Sequence, residues 1–247
     1  MKTSTTNLLL LSIILVLLGI SVVTASAAVH LYKKINVLAL SPLALDTGKN
    51  TEKTNRKRIG GLIIIGDSRA KQWEFNESFN ALQITNLGVN GHTSRQTLLR
   101  NKLILPNYKP KSIIIQVGIN DLKTIPLLPT KTRSIIDNCK ENISNLVSAA
   151  KSTSADKIIL TSIFPTGNIP FYRKPFWSKS IDKAIIEINN HLESLAVDGV
   201  EYLDVNPILS NKKNITKTTY QRDFLHLNKN GYNEINHILL PMLLNNN

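Results

Sequence analysis

Residues 61–70 read GLIIIGDSRA: four consecutive aliphatics, then an abrupt Gly66-Asp67-Ser68. A strand with one wet face alternates apolar and polar residues, whereas a strand covered on both faces does not. The run therefore predicts a buried parallel strand. Its ending poses a second question, whether Gly-Asp-Ser makes a turn or presents a hydroxyl. Four further runs share the unalternating pattern or its length: LQITNLG (82–88), SIIIQVG (112–118), KIILTSI (157–163) and VEYLDV (200–205). Between them lie helical patterns near 93–103, 131–152 and 178–197, and a last one near 229–244. In the second, Ile135, Ile136, Cys139, Ile143, Leu146 and Val147 share one helical face; in the third, Ile181, Ala184, Ile185, Ile188, Leu192 and Leu195 do. Strands alternating with helices predict an α/β fold, a three-layer α/β/α sandwich around a five-stranded parallel sheet.

In such sheets, ligands bind beyond the carboxyl ends of the strands. The unusual polar residues fall there. The first run ends in Gly66-Asp67-Ser68, the second in Asn86-Leu87-Gly88-Val89-Asn90-Gly91, and the third in Gly118-Ile119-Asn120-Asp121. The fifth is followed, after a polar loop, by Asp223-Phe224-Leu225-His226. Each set alone is ordinary turn chemistry. Together they supply the parts of a hydrolytic apparatus. A serine hydroxyl needs an imidazole to take its proton, and a carboxylate to fix the imidazole tautomer. Ser68, His226 and Asp223 can fill those roles. Charge developing on a substrate oxygen would meet the Ser68 and Gly88 N–H groups and the Asn120 amide, and losing one such donor typically costs roughly 3–4 kcal/mol of barrier. Gly88 suits the position because a side chain would crowd the substrate oxygen.

These four blocks, in this order, resemble the SGNH hydrolases (the GDSL esterase/lipase superfamily). LNKNGYNEI, after His226, looks like that family's closing segment, so the resemblance runs from residue 62 to about 240. It implies a flavodoxin-like sheet of order 2-1-3-4-5 and a serine esterase cleaving acyl esters. Ser68 would be the nucleophile, His226 the base and Asp223 its orienter, with Ser68, Gly88 and Asn120 forming the oxyanion hole. The resemblance implies no metal or organic cofactor. An acyltransferase using the same residues on a surface polysaccharide, and a non-catalytic glycan- or lipid-binding module, stand as alternatives. The substrate expected is an acyl ester resembling an O-acetylated glycan or a lysophospholipid.

One residue departs from the family pattern. Arg69 follows the serine, where a small or aliphatic residue is usual. It either contacts an acidic substrate group or points to solvent from a first helical turn. Asp67 and Asp121 read as loop braces that accept backbone N–H groups rather than as extra catalytic carboxylates. His92 could line the pocket but reads rather as an exposed loop residue, and His191 and His237 receive no role. Asn90 is a turn residue able to touch substrate. The loop FPTGNIPFYRKPFW (164–177) offers Phe171, Tyr172, Phe176 and Trp177 to an acyl chain or sugar, with Arg173 and Lys174 as anion holders; rim packing is the alternative. TIPLLPTK (124–131) could wall the same pocket.

The 247 residues carry a formal charge of +13, dispersed over the chain. That balance suits an anionic membrane surface or an acidic glycan, and without a recognisable nucleic-acid motif no nucleic acid is expected. A single cysteine, Cys139, excludes an internal disulfide framework and any cysteine-based zinc site. The five histidines lack metal-site spacing. Leu8 to Val29 contains no charge and as a helix would run about 33 Å, enough to cross a bilayer. Residues 1–29 thus read as a signal peptide, ending near Ala25-Ser26-Ala27, or as a membrane anchor. Residues 30–59 read as a basic spacer and 60–247 as the catalytic domain. The expected location is extracytoplasmic: secreted, periplasmic or held at a membrane.

Overall fold

The structure, a computed structural model, describes residues 2–40, 58–153 and 155–245. The chain divides into two units, Met1–Ala39 and Leu40–Asn247. The first is helical: α1 runs Lys2–Leu40. From Thr5 its mean hydropathy reaches 2.9, so it is long and apolar enough to cross a membrane. The expected boundary at residue 29 is not a structural break, because the helix continues through His30, Lys33 and Lys34. Lysine is a good helix former, and its charge does not end a helix. The rest of the expected spacer, 41–57, lies outside the described residues.

The second unit opens with a two-residue strand, β1 (Arg58–Ile59). Then come β2 (Leu62–Gly66), α2 (Ser68–Lys71), β3 (Ile84–Asn86) and α3 (Ser94–Ile104). A second short strand, β4 (Tyr108–Lys109), pairs with β1. The chain continues as β5 (Ser112–Gln116), α4 (Ile119–Leu122), α5 (Thr132–Lys151), β6 (Lys157–Thr161) and α6 (Lys179–Ser194). It closes with β7 (Val200–Leu203), α7 (Asn206–Leu209) and α8 (Lys229–Leu244).

The five-stranded sheet has the order β3-β2-β5-β6-β7. All its pairings are parallel, so the main strands stand in the expected 2-1-3-4-5 arrangement. Register places Ile64 beside Ile114, and Ile114 beside Ile159. Successive strand residues face opposite layers. Ile63, Ile65, Ile113 and Ile115 pack with Leu98 of α3, Ile136, Cys139 and Ile143 of α5, and Ile181 and Ile188 of α6. Leu62, Ile64 and Ile114 pack on the other side with Leu209 of α7 and Tyr232, Ile235 and Leu239 of α8. Both faces are therefore dry, which is why the strands do not alternate. Each fully buried isoleucine contributes roughly 1.5–3 kcal/mol relative to exposure.

Leu128 from the 124–131 segment is buried in the first of these clusters, with Leu127 packed against it. Those leucines line the core and not a substrate pocket.

Candidate active site

The site begins where β2 ends. Gly66 has φ +150, and a Cβ there would lie 1.8 Å from the Gln116 carbonyl oxygen. Only glycine lets the strand swing past its neighbour into the turn. Asp67 then caps α2: its Oδ1 accepts the Arg69 N–H at 2.8 Å. Ser68 is the first residue of that helix, where the backbone N–H has no intrahelical acceptor.

From the far end of the chain, the turn before α8 brings an imidazole to this serine. Ser68 Oγ lies 2.9 Å from His226 Nε2. His226 Nδ1 lies 2.8 Å from Asp223 Oδ2 and 3.0 Å from Oδ1. Asp223 Oδ1 also accepts the Leu225 and His226 N–H groups, which folds the Asp-x-x-His turn back on itself. Burial raises the Asp223 carboxyl, but those N–H groups and the imidazole outweigh it and hold it below the usual range. Burial lowers His226, and the Asp223 carboxylate opposes that without cancelling it. The imidazole is thus neutral at neutral pH and able to accept the hydroxyl proton.

Asn120 stands in the first turn of α4, fully buried. Its Nδ2 donates to the His92 carbonyl at 2.9 Å, while Lys123 Nζ donates to its Oδ1 at 2.6 Å. Lys123 therefore fixes which end of the amide donates. Gly88 departs from the expected geometry. Its N–H donates to Asn86 Oδ1 at 2.9 Å, within its own segment. A Cβ there would meet the Lys71 nitrogen at 2.5 Å and the Ala70 carbonyl carbon at 2.9 Å. The glycine is required by the close pass of α2, not by space for a substrate oxygen. Asn86 also donates to the Ala70 carbonyl at 2.9 Å, so one side chain pins α2 to the end of β3.

Arg69 corrects both sequence expectations. It is fully buried, touching neither substrate space nor solvent. Nε donates to the Leu225 carbonyl and Nη1 to the Phe164 carbonyl, each at 2.9 Å, and the guanidinium lies 5.4 Å from the Phe164 ring centroid. It ties the serine turn to the loop after β6 and to the histidine turn. Asp121 accepts both the N–H and Oγ of Ser94, at 2.8 and 2.7 Å, bracing α4 against α3. Burial pushes Asp67 and Asp121 each up to about 6. His92 is buried, contrary to the exposed position expected for it. Asn90 is exposed in its turn.

In the 164–177 loop, Phe171 and Tyr172 project outward, 82% and 59% exposed. Trp177 packs edge-on against Phe224, 5.6 Å between centroids, and Arg173 lies 5.9 Å over the same ring. Beside it opens a cleft of about 590 Å3 with Asn168, Trp177, Asn189 and Asn206 in its lining. A second serine–imidazole contact, Ser144 Oγ to His191 Nε2 at 3.0 Å, joins α5 to α6. Burial lowers that imidazole, and its charged neighbour is Lys140 rather than a carboxylate. Sequence reading missed Lys123 and, though it placed Asn86 at the polar end of its strand, gave that residue no role. Asn86, at the end of its strand, was the more visible of the two.

A serine, an imidazole and a carboxylate stand in line at the carboxyl edge of a doubly covered parallel sheet, and the family match that follows makes the chain an ester-bond hydrolase. The chain belongs to the GDSL-like lipase/acylhydrolase family, whose pattern matches residues 65–233. It is 28% identical over 180 residues to the platelet-activating factor acetylhydrolase IB subunit alpha2 of Rattus norvegicus, covering 70% of this chain and 72% of that protein. The human protein of the same name matches at the same identity and coverage. Among solved structures, a GDSL-like lipase from Bacteroides thetaiotaomicron shares the fold with TM-score 0.57 and 20% identity, over 76% of this chain and 87% of that one. A variant of an acetyl-xylooligosaccharide esterase from a Geobacillus species gives TM-score 0.55 and 18% identity, over 77% and 96%.

Proposed function

We propose that the chain is a serine acyl esterase that removes a short acyl group from an oxygen ester. The observation that carries this reading is the unbroken line from Ser68 Oγ through His226 to Asp223, at 2.9 and 2.8 Å. Ser68 Oγ attacks the acyl carbon while His226 Nε2 takes its proton, and Asp223 holds the imidazolium that results. The tetrahedral oxygen is met by the Ser68 N–H and the Asn120 amide. Gly88 joins them by turning its N–H from Asn86 to the substrate. His226 returns the proton to the leaving alcohol, and water then repeats the sequence on the acyl-serine. The names of the relatives, an acetylhydrolase and an acetyl-xylooligosaccharide esterase, favour an acetyl or similarly short acyl group. The alcohol portion would be a sugar or a lysophospholipid-like group. The apolar α1 supports an extracytoplasmic domain delivered by a signal peptide or held at a membrane.

Full-length protein in detergent is expected to take a fluorophosphonate covalently on Ser68, located by peptide mass spectrometry. Folded protein that stays unlabelled, or that is labelled elsewhere, overturns the assignment. The depressed His226 pKa sets a second expectation. A base works only when neutral, so the acid limb of kcat/KM should have its midpoint below the ordinary imidazole value of 6.5. A pH–rate profile whose acid limb has its midpoint above 6.5 contradicts it.

A further inference from the structure

The amino ends of the strands, opposite the Ser68 edge, carry charge that is mostly of one sign. There β4 lies with Lys109 beside Ile59 of β1. Just before β5, the Lys111 N–H donates to the Gly61 carbonyl at 2.9 Å, and its own carbonyl accepts the Asp156 N–H at 3.0 Å. Helices α3 and α5 end at the same edge, with Lys102 and Lys151 in their last turns. A cleft of about 320 Å3 between those helix ends has Lys102, Leu105 and Pro106 on one side and Ser148 and Ser152 on the other. All four lysines are exposed, and among the described residues none of them makes an ion pair. Leu103, next to Lys102, is 64% exposed. Asp156 stands among these lysines. Glu193, Asp198 and Glu201 belong to the far side of the edge, by α6 and β7, where Glu201 pairs with Lys157 at 2.9 Å. Lys102 and Lys151 suit helix C-termini, whose dipoles favour cations. Lys109 and Lys111 lie outside any helix and have no such duty.

The chain also leads from an apolar helix to this edge. The helix α1 is long and apolar enough to cross a membrane. Residues 41–57, which carry Lys49, Lys53, Arg56 and Lys57 against Asp46 and Glu52, run from it into β1. Basic residues close to a membrane helix are drawn to anionic headgroups, each by about fivefold in affinity. We infer that the amino edge of the sheet is a docking surface for an anionic bilayer, with Lys102, Lys109, Lys111 and Lys151 over the headgroups and Leu103 entering the interface. An exposed leucine beside lysines suits the boundary between headgroups and acyl chains. The five strands of the sheet are parallel, so the carboxyl edge with Ser68 then faces water. Substrate reaches the serine from the aqueous side. The docking surface stands whichever ester the site cleaves.

Docking is read by energy transfer, with full-length protein in lipid nanodiscs whose headgroups carry an acceptor dye. The donor dye is placed on Leu103→Cys or, at the opposite edge, on Tyr172→Cys, a position 59% exposed. The native thiol, Cys139, is buried. In discs of phosphatidylcholine with phosphatidylserine, transfer from position 103 should exceed transfer from position 172. The excess should shrink in phosphatidylcholine alone and as salt is raised. Combining Lys102→Gln, Lys109→Gln, Lys111→Gln and Lys151→Gln should lower the docked-to-undocked ratio by about fivefold per lysine, with little change in the melting curve. Equal transfer from the two positions with phosphatidylserine present, or greater transfer from position 172, overturns the docking surface. An excess that is the same without phosphatidylserine, or that survives all four substitutions in folded protein, comes from the tether alone and overturns it too. The lipid and salt comparisons keep every lysine, so they decide the matter even where the fourfold variant does not fold.

Discussion

Replacing Ser68 by alanine should lower kcat for a short 4-nitrophenyl ester by about 10^4 to 10^6-fold, with little change in thermal stability. The asymmetry follows from how the side chain is held. Ser68 Oγ touches His226, while α2 is capped by the Asp67 carboxylate, which the substitution leaves in place. Removing the hydroxyl therefore takes away the proposed nucleophile and leaves the turn. His226→Ala should cost a similar factor, and the double substitution hardly more than either, because the three groups act as one unit. Steady-state hydrolysis with full-length protein in detergent, beside a melting curve for each variant, measures both quantities. More than about one per cent residual activity in folded Ser68→Ala would remove the serine from the mechanism.

Some of this was legible in the sequence because it is local. The strands around Ile64, Ile114 and Ile159 are covered on both faces, so their apolar runs could be recognised one residue at a time. The faces of α5 and α6 repeat at helical spacing, and their periodic residues are the buried ones. Gly66-Asp67-Ser68 and the Asp-x-x-His turn show the same economy, since each closes on itself within a few residues. What was not legible depends on partners far away in the chain. Arg69 looks like a surface cation because no local pattern marks it as buried, although Asp67 stands two residues away. Its acceptors are main-chain carbonyls at Phe164 and Leu225, 95 and 156 residues distant, and every residue type carries that group. Lys123 is hidden for a related reason. Lysine after an Asn-Asp-Leu turn has no pattern of its own, and its contact with Asn120 requires the one-turn geometry of α4. The reason for Gly88 also changed, because its neighbour across the gap is the backbone of α2 and not a ligand.

Arg69→Met should destabilise the protein by about 3–5 kcal/mol, the usual cost of breaking a buried charged network by removing one partner. At this size that corresponds to a fall in melting temperature of roughly 6–20 °C. The methionine fills much of the same volume, so the loss reports the guanidinium and not a cavity. Three connections go at once: the bonds to the Leu225 and Phe164 carbonyls and the electrostatic partner of Asp67. Two of the bonds hold loops that meet at the serine, so the His226 turn should loosen and kcat should fall with stability. The pH dependence separates this account from simple loss of packing. Asp67 already sits at about 6 against an ordinary 3.8, chiefly through burial, with Arg69 pulling it down. A carboxyl raised on folding favours the folded state when protonated, and that contribution is lost as pH rises from 3.8 to about 6. Without Arg69 the folded value climbs further and the window of loss extends upward. The deficit relative to the parent should then be larger at pH 8 than at pH 5, read from paired melting curves at the two values. Arg69→Lys, which keeps a charge near Asp67 but loses the planar fork, should recover the pH term more fully than the loop contacts. An Arg69→Met deficit that is the same at both pH values would assign the arginine to packing alone.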